Sequence, residues 1–433
     1  MQEKMTAKIL LVNPPIFDFA AYDFWLKPYG LLSVAGKLRG RAQLTIFDYL
    51  NRLTPFMAQQ KSLKSDNFGR GKFYHRIIPP PKCLSNIPRY FRRFGLPRHF
   101  FQNLLKESPH FDFVLVQTMM TYWYPGVREV IQDVRSLQPK AKIILGGVYA
   151  TICSTHAASL EADLLINASN LKPLFEFLGI EPKINQPPLW NAYNRLDTGV
   201  LKLTDGCPFN CTYCAARALC PEFKPRQLDT SIAELNLLLQ CGVRNIAFYD
   251  DALLCRPQET LIPFLQYVLQ HNINVNFHTP NALNARLLTP DLAKLMLQAG
   301  FKTFYIGFEN ISTDWHRQTG AKVTTEEFAN AVEFLLAAVA EPKNVTAYLL
   351  LGHPAANCWR LEESMKFVNS LGIKGMLADF SPIPGTPDGR SCAEWVDMKE
   401  PLMHNKTAFP IIRLGFDKVN RLKDLQRQLN RDL

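Results

Sequence analysis

Short apolar runs alternate with helix-period stretches along most of the chain. Lys8–Asn13 reads as a buried strand, 30–38 carries apolar residues at helical spacing, and Gln43–Asp48 reads as a second strand. Phe113–Thr118, a helical pattern over 125–137, Lys142–Gly147 and 162–167 continue the alternation. Apolar strands separated by helices predict a parallel sheet covered on both faces. Residues 1–170 are therefore expected to form a doubly wound, Rossmann-like domain.

A second alternation follows. Residues 171–195 carry Pro173, Pro182, Pro187 and Pro188 and read as a linker. Strands are then predicted at 199–204, 245–249, 274–278, 303–307, 345–351 and 375–380, with helical patterns such as 232–241 and 290–299 between them. Six such units over 196–390 predict a partial (β/α)6 barrel, with chemistry at the carboxyl ends of its strands. The fold class is thus α/β. Residues 391–433 are expected as a C-terminal extension ending in one amphipathic basic helix over 411–433.

Composition narrows the class. The chain has 433 residues, 47% of them hydrophobic and 20% charged, enough apolar material for two cores. No apolar stretch approaches a membrane span, and the run Ile9–Val12 is too short for a signal peptide. A cytoplasmic protein without a membrane partner is the expectation. The net charge of +11 is concentrated in 51–110, where twelve cations face only Asp66 and Glu107. That segment is too long for an ordinary connection. It is rich in aromatics (Phe68, Phe73, Tyr90, Phe91 and Phe94 among them) and reads as an ordered insertion facing an anionic group.

Of ten cysteines, seven are scattered and read as small buried apolar residues. The other three form Cys207-Pro-Phe-Asn-Cys211-Thr-Tyr-Cys214, directly after the first barrel strand. Four thiolates saturate a 4Fe–4S cluster. Three leave one iron free for a substrate's amine and carboxylate. A zinc site would prefer two separated pairs of ligands, and no second C-x2-C is present.

With this x3/x2 spacing and an aromatic before the third cysteine, residues 196–390 resemble the radical SAM superfamily. The resemblance implies a partial barrel, a 4Fe–4S cluster and S-adenosylmethionine on its unique iron. It also implies a first step: one electron breaks the sulfur–carbon bond, giving methionine and a 5′-deoxyadenosyl radical. An electron donor such as flavodoxin or ferredoxin is the implied partner. For cofactor binding it points to Tyr213, to Asp250 or Asp251 after the second strand, to Glu309, to Arg317 for the methionine carboxylate, and to Gly352 beside adenine. Asp250, Asp251, Glu309, Gly352 and Arg317 also have structural readings, the acids as loop acids or a helix cap and Arg317 as a solvated side chain. His278 either faces substrate or is a hydrogen-bonded strand-end histidine. The loop 381–386 is expected to line the cavity.

The two domains together resemble the branch of this superfamily with an N-terminal cobalamin-binding domain. Met120–Gly126 and 146–150 carry that likeness, with Gly146 and Gly147 at a strand end. The D-x-H-x-x-G motif of many cobalamin proteins is absent, since the first strand runs into Asn13-Pro-Pro15. Cobalamin is therefore a candidate cofactor without a histidine ligand from that loop. The leading expectation is a radical SAM enzyme, with methyl transfer to an unactivated carbon as the candidate reaction. The alternatives are a cobalamin-independent tailoring or RNA-modifying enzyme and an iron–sulfur sensor. A small molecule or peptide is the expected substrate class rather than nucleic acid. No residue is assigned a catalytic role, and the substrate is not legible.

Overall fold

Five apolar runs pair in parallel in the first part of the chain: β1 (Lys8–Asn13), β2 (Gln43–Asp48), β3 (Phe113–Thr118), β4 (Lys142–Gly147) and β5 (Leu164–Ile166). Their spatial order is β2-β1-β3-β4-β5, as the computed structural model shows. It describes residues 6–60, 63–431 and 433. The strand order reverses between β1 and β3, where doubly wound sheets take ligands beyond their carboxyl ends. Ile9, Leu10, Leu11 and Val12 are all fully buried, as expected of a strand covered on both faces. Helix Tyr29–Leu38 lays Leu31, Val34, Ala35 and Leu38 on the sheet, one helical stripe.

Residues 171–195, read from their prolines as a linker, instead close this core. They form helix Lys172–Leu178, whose Leu174 and Leu178 join the same cluster. A β-carbon on Gly36 would lie 2.3 Å from the Pro187 carbonyl oxygen, so the proline segment rests on helix Tyr29–Leu38. Prolines here fix an extended packed strap rather than a flexible joint.

The basic insertion is folded. Its Arg92–Phe94 and His75–Ile77 form an antiparallel sheet with Ile16–Asp18. Phe73, Phe91, Phe94 and Phe101 are buried. Much of its charge is met by acids outside the segment: Arg52 by Asp23 at 3.1 Å, Arg93 by Glu129 at 2.7 Å and Arg98 by Asp133 at 2.9 Å. Lys61, one of its twelve cations, lies outside the described residues.

Contacts divide the chain into two units: 1–197 with 233–243 and 399–405, and 198–232 with 244–398 and 406–433. The later segments of the first unit are tied in by side chains. Asn405 donates to the buried Asp18 carboxylate at 2.8 Å, and Tyr29 donates to Glu234 at 3.0 Å.

In the second unit six parallel strands stand in chain order: β6 (Thr198–Leu201), β7 (Asn245–Phe248), β8 (Asn276–Asn284), β9 (Phe301–Glu309), β10 (Val345–Leu351) and β11 (Lys374–Asp379). This is the open barrel of six βα units. Helix starts follow local chemistry: Thr289 caps a helix with Pro290 at its first position, and Thr324 with Glu327 forms a capping box.

The C-terminal basic helix is two helices, Ala408–Leu414 and Phe416–Leu429, broken at Gly415 with φ +86°. Amphipathic periodicity runs on through a residue whose backbone does not. The last helix belongs to the second unit, where Asn430 bonds the Gly375 amide and carbonyl at 3.0 and 2.9 Å. No helix among the described residues is long and apolar enough to cross a membrane.

Candidate active site

The cysteine loop leaves the barrel after β6 and is pinched at its base. Thr204 and Asp205 pair antiparallel with Lys224 and Pro225. Arg226 grips Asp205 through Nε and Nη2 at 2.8 and 2.9 Å, and Lys202 adds a third bond at 3.0 Å. Burial opposes ionisation of Asp205, but these cations hold its carboxyl down to about 2. Gly206 turns the chain at φ +73°, where a β-carbon would lie 2.3 Å from the Glu222 carbonyl oxygen.

Asp250, two residues past the end of β7, is the second anchor. Its Oδ1 accepts from the Leu203 and Thr204 amides at 2.9 and 2.6 Å and from the Thr204 hydroxyl at 2.7 Å. Its Oδ2 is buried with no hydrogen-bond partner. Burial raises this carboxyl to about 6 despite those donors. Asp250 is thus committed through one oxygen to the loop's backbone. Asp251 is exposed, and desolvation by the surrounding walls raises its carboxyl too.

All three cysteines are free, Cys207 and Cys211 half-buried and Cys214 exposed. The Cys214 amide closes a turn onto the Cys211 carbonyl at 3.1 Å, and the Ala216 amide donates to the Cys214 sulfur at 3.4 Å. Although Cys214 is exposed, desolvation by the surrounding loop pushes its thiol up to about 11, and burial raises the other two. Burial outweighs the nearby Lys322 cation, so these groups favour the protonated thiol, and bound iron would deprotonate them. No group of three or more His, Cys, Asp or Glu among the described residues is gathered tightly enough for one metal ion. Three free cysteines on one braced loop are the donor type that a 4Fe–4S cluster takes, one thiolate per iron.

The ends of β9, β10 and β11 brace the other side of the loop. The Thr212 amide donates to the Thr319 carbonyl at 3.2 Å, and Gly320 passes so close that a β-carbon would lie 2.8 Å from the Asn210 oxygen. Lys322 then bonds Glu309 at 3.3 Å, both nearly buried. Burial disfavours the lysine's charge, but Glu309 holds it as an ammonium. Glu309 has φ +64° where the β9–β10 register breaks, a conformation that costs a non-glycine residue about 1–3 kcal/mol. Tyr213 stacks on Trp315 with centroids 5.9 Å apart and planes at 24°.

The other candidate residues sit in varied settings. Arg317 is exposed and pairs with Asp314 at 3.5 Å one helical turn away; the cation beside the cysteines is Lys322. Gly352 does have φ +88°, but its open side is taken by Pro410, 2.8 Å from a β-carbon position. His278 is fully buried between Thr303 and Asn245, the hydrogen-bonded alternative. At the first sheet, a β-carbon on Gly147 would meet the Thr118 oxygen at 2.2 Å, and one on Gly126 the Pro15 oxygen at 1.8 Å. Those glycines serve the chain's own backbone. Gly146 is open, its nearest neighbour being Ile166 at 3.6 Å.

Residues 201–368 match the radical SAM superfamily. That match spans most of the barrel and leaves the first sheet outside it. An uncharacterized methyltransferase of Pyrococcus horikoshii is 24% identical over 43% of this chain and 40% of its own length. The threonylcarbamoyladenosine tRNA methylthiotransferase MtaB of Thermotoga maritima is 22% identical over 61% of this chain and 64% of its own. The chain therefore spans less than two thirds of the curated relatives it matches. Among solved structures, the radical S-adenosylmethionine methyltransferase TsrM of Kitasatospora setae, with cobalamin and a 4Fe–4S cluster bound, superposes with TM-score 0.67. That match has 13% identity and covers 97% of this chain and 89% of TsrM. The cobalamin-dependent radical enzyme OxsB matches at TM-score 0.58 and 13% identity over 98% of this chain and 61% of its own. The radical SAM barrel and the doubly wound sheet before it share the fold of these two proteins.

Missed by sequence reasoning were Lys322, Trp315, His353 and Asp388. Only the Gly320-Ala-Lys322 and Gly352-His353-Pro354 turns carried a local signal for two of them.

Proposed function

We propose that this chain is a radical SAM methyltransferase acting on an unactivated carbon. The observation that carries the reading is the cysteine triplet, unpaired and braced at the carboxyl end of the first strand of a six-stranded parallel barrel. Cys207, Cys211 and Cys214 would hold a 4Fe–4S cluster. When bound, that cluster supplies one electron to S-adenosylmethionine, releasing methionine and a 5′-deoxyadenosyl radical. Asp205, Asp250 and Gly206 fix where the loop starts, and Lys322 places a cation beside two of its thiols. Asp251 is the free acid of the site and is assigned to the cofactor's ammonium.

Methyl transfer is supported by the name of the Pyrococcus relative and by the fold shared with TsrM and OxsB. Cobalamin is assigned to the carboxyl edge of the first sheet, near exposed Met120 and open Gly146. A cobalamin-independent reaction is the second reading, favoured by the packing of Gly126 and Gly147 on the chain's own backbone. A low-potential donor such as flavodoxin or ferredoxin, and a cytoplasmic setting, complete the proposal. The test is anaerobic expression with and without cobalamin, followed by iron and cobalt analysis and assay of 5′-deoxyadenosine and methyl transfer. About four irons and reductive cleavage are expected. Absence of both overturns the reading, and cleavage without bound cobalt selects the second.

A further inference from the structure

Three strand ends of the barrel converge on the two residues between the second and third cysteines. One oxygen of Asp388, Oδ2, accepts from the Thr212 hydroxyl at 2.6 Å and from His353 Nε2 at 2.8 Å. The Asp388 amide donates back to the Thr212 carbonyl at 3.2 Å. Thr212 is thus held at side chain and backbone by one residue. His353 follows β10 and is fully buried. Its Nδ1 accepts from Trp315 Nε1 at 3.1 Å and from the Ala355 amide at 3.2 Å. Two donors on Nδ1 leave the ring proton on Nε2, pointing at Asp388. Trp315 and His353 also wall Tyr213, one stacked and one edge-on, each 5.9 Å from its ring.

Asp388 is itself fixed. Thr386 caps its short helix by accepting from the Gly389 amide at 3.0 Å, and a β-carbon at Gly389 would lie 1.9 Å from the Ile383 oxygen. Every member of the chain from Trp315 to Thr212 therefore has its partner in place, and such networks hold one geometry.

We propose that Trp315, His353 and Asp388 form a positioning relay that sets Thr212 and Tyr213, and through them the stance of Cys211 and Cys214. The proposal rests on the reading of these cysteines as cluster ligands. Groups that orient metal ligands typically change metal affinity or activity by about 10–100-fold when removed.

The test uses the full chain in two forms. In iron-free protein, hydrogen exchange of 210–216 is followed in Thr212→Val, His353→Phe, Asp388→Ala and His353→Gln, the last keeping a donor toward Asp388. The first three should exchange roughly threefold to tenfold faster there, with β6–β11 unchanged, the loss of about one hydrogen bond. His353→Phe should add nothing in the Thr212→Val background, and His353→Gln should stay near wild type. In reconstituted protein the reduced-cluster electron paramagnetic resonance spectrum should shift in the same three variants and not in His353→Gln. Unchanged exchange at 210–216, or additive effects in the double variant, overturns the relay. If His353→Phe does not fold, Thr212→Val and Asp388→Ala with their double variant decide the same question. Wild type that takes up no iron refutes the cluster reading and leaves the exchange result standing on its own.

Discussion

The amine of Lys322 occupies the space a side chain at Gly307 would fill: its Nζ stands 2.5 Å from the β-carbon position. Glycine at the end of β9 is therefore what lets this cation reach Glu309. Gly307→Ala should drive the lysine out. Lys322→Met should leave the buried Glu309 carboxylate without its ion-pair partner, costing about 2–4 kcal/mol in thermal or urea unfolding. Adding Glu309→Gln to Lys322→Met should recover much of that loss.

Cys211→Ala should abolish both the iron–sulfur absorption and 5′-deoxyadenosine formation while the apoprotein keeps its melting temperature. A variant that retained the full iron content would contradict the assignment of the triplet.

Asp250 and Asp251 should separate cleanly. Asp250→Ala strips the acceptor from the Leu203 and Thr204 amides, and should destabilise the fold by about 1–3 kcal/mol. Asp251→Asn should leave stability unchanged and weaken S-adenosylmethionine binding, read by titration of the reconstituted protein. Equal binding in Asp251→Asn and wild type would make that acid structural.

Asp163 gives a pH signature in the first unit. Burial pushes its carboxyl up, but the Ile143 amide, Arg135 and Lys142 together hold it below the usual range. A depressed folded value means stability present above the unfolded carboxyl value, about 3.9, and lost as pH falls through the folded value. Wild type should exceed Asp163→Asn in urea midpoint at pH 7, and the gap should close below about pH 4.

Local pattern carried the elements. Four strands of the first sheet, 8–13, 43–48, 113–118 and 142–147, coincide with their apolar runs, as does 345–351 in the barrel. Each is a mostly apolar run bounded by polar or glycine residues. The cysteine triplet was equally legible, because its three residues are neighbours in sequence. The rest of the site was not. Lys322 reaches Glu309 only through the notch at Gly307, and Arg317 looked equivalent on paper. Periodicity passed over the Gly415 break, and proline content at 171–195 suggested looseness where packing makes a strap.

The grip on Thr212 also has a timetable. Asp388 comes 176 residues after the threonine it holds. At ribosomal speeds of about 5–20 residues per second, that is a wait of roughly ten to thirty-five seconds. Until then the turn between Cys211 and Cys214 lacks its strongest restraint and its thiols stand unclaimed on a nascent barrel. Metal delivery to the finished chain, after release, would meet a turn already in its final shape.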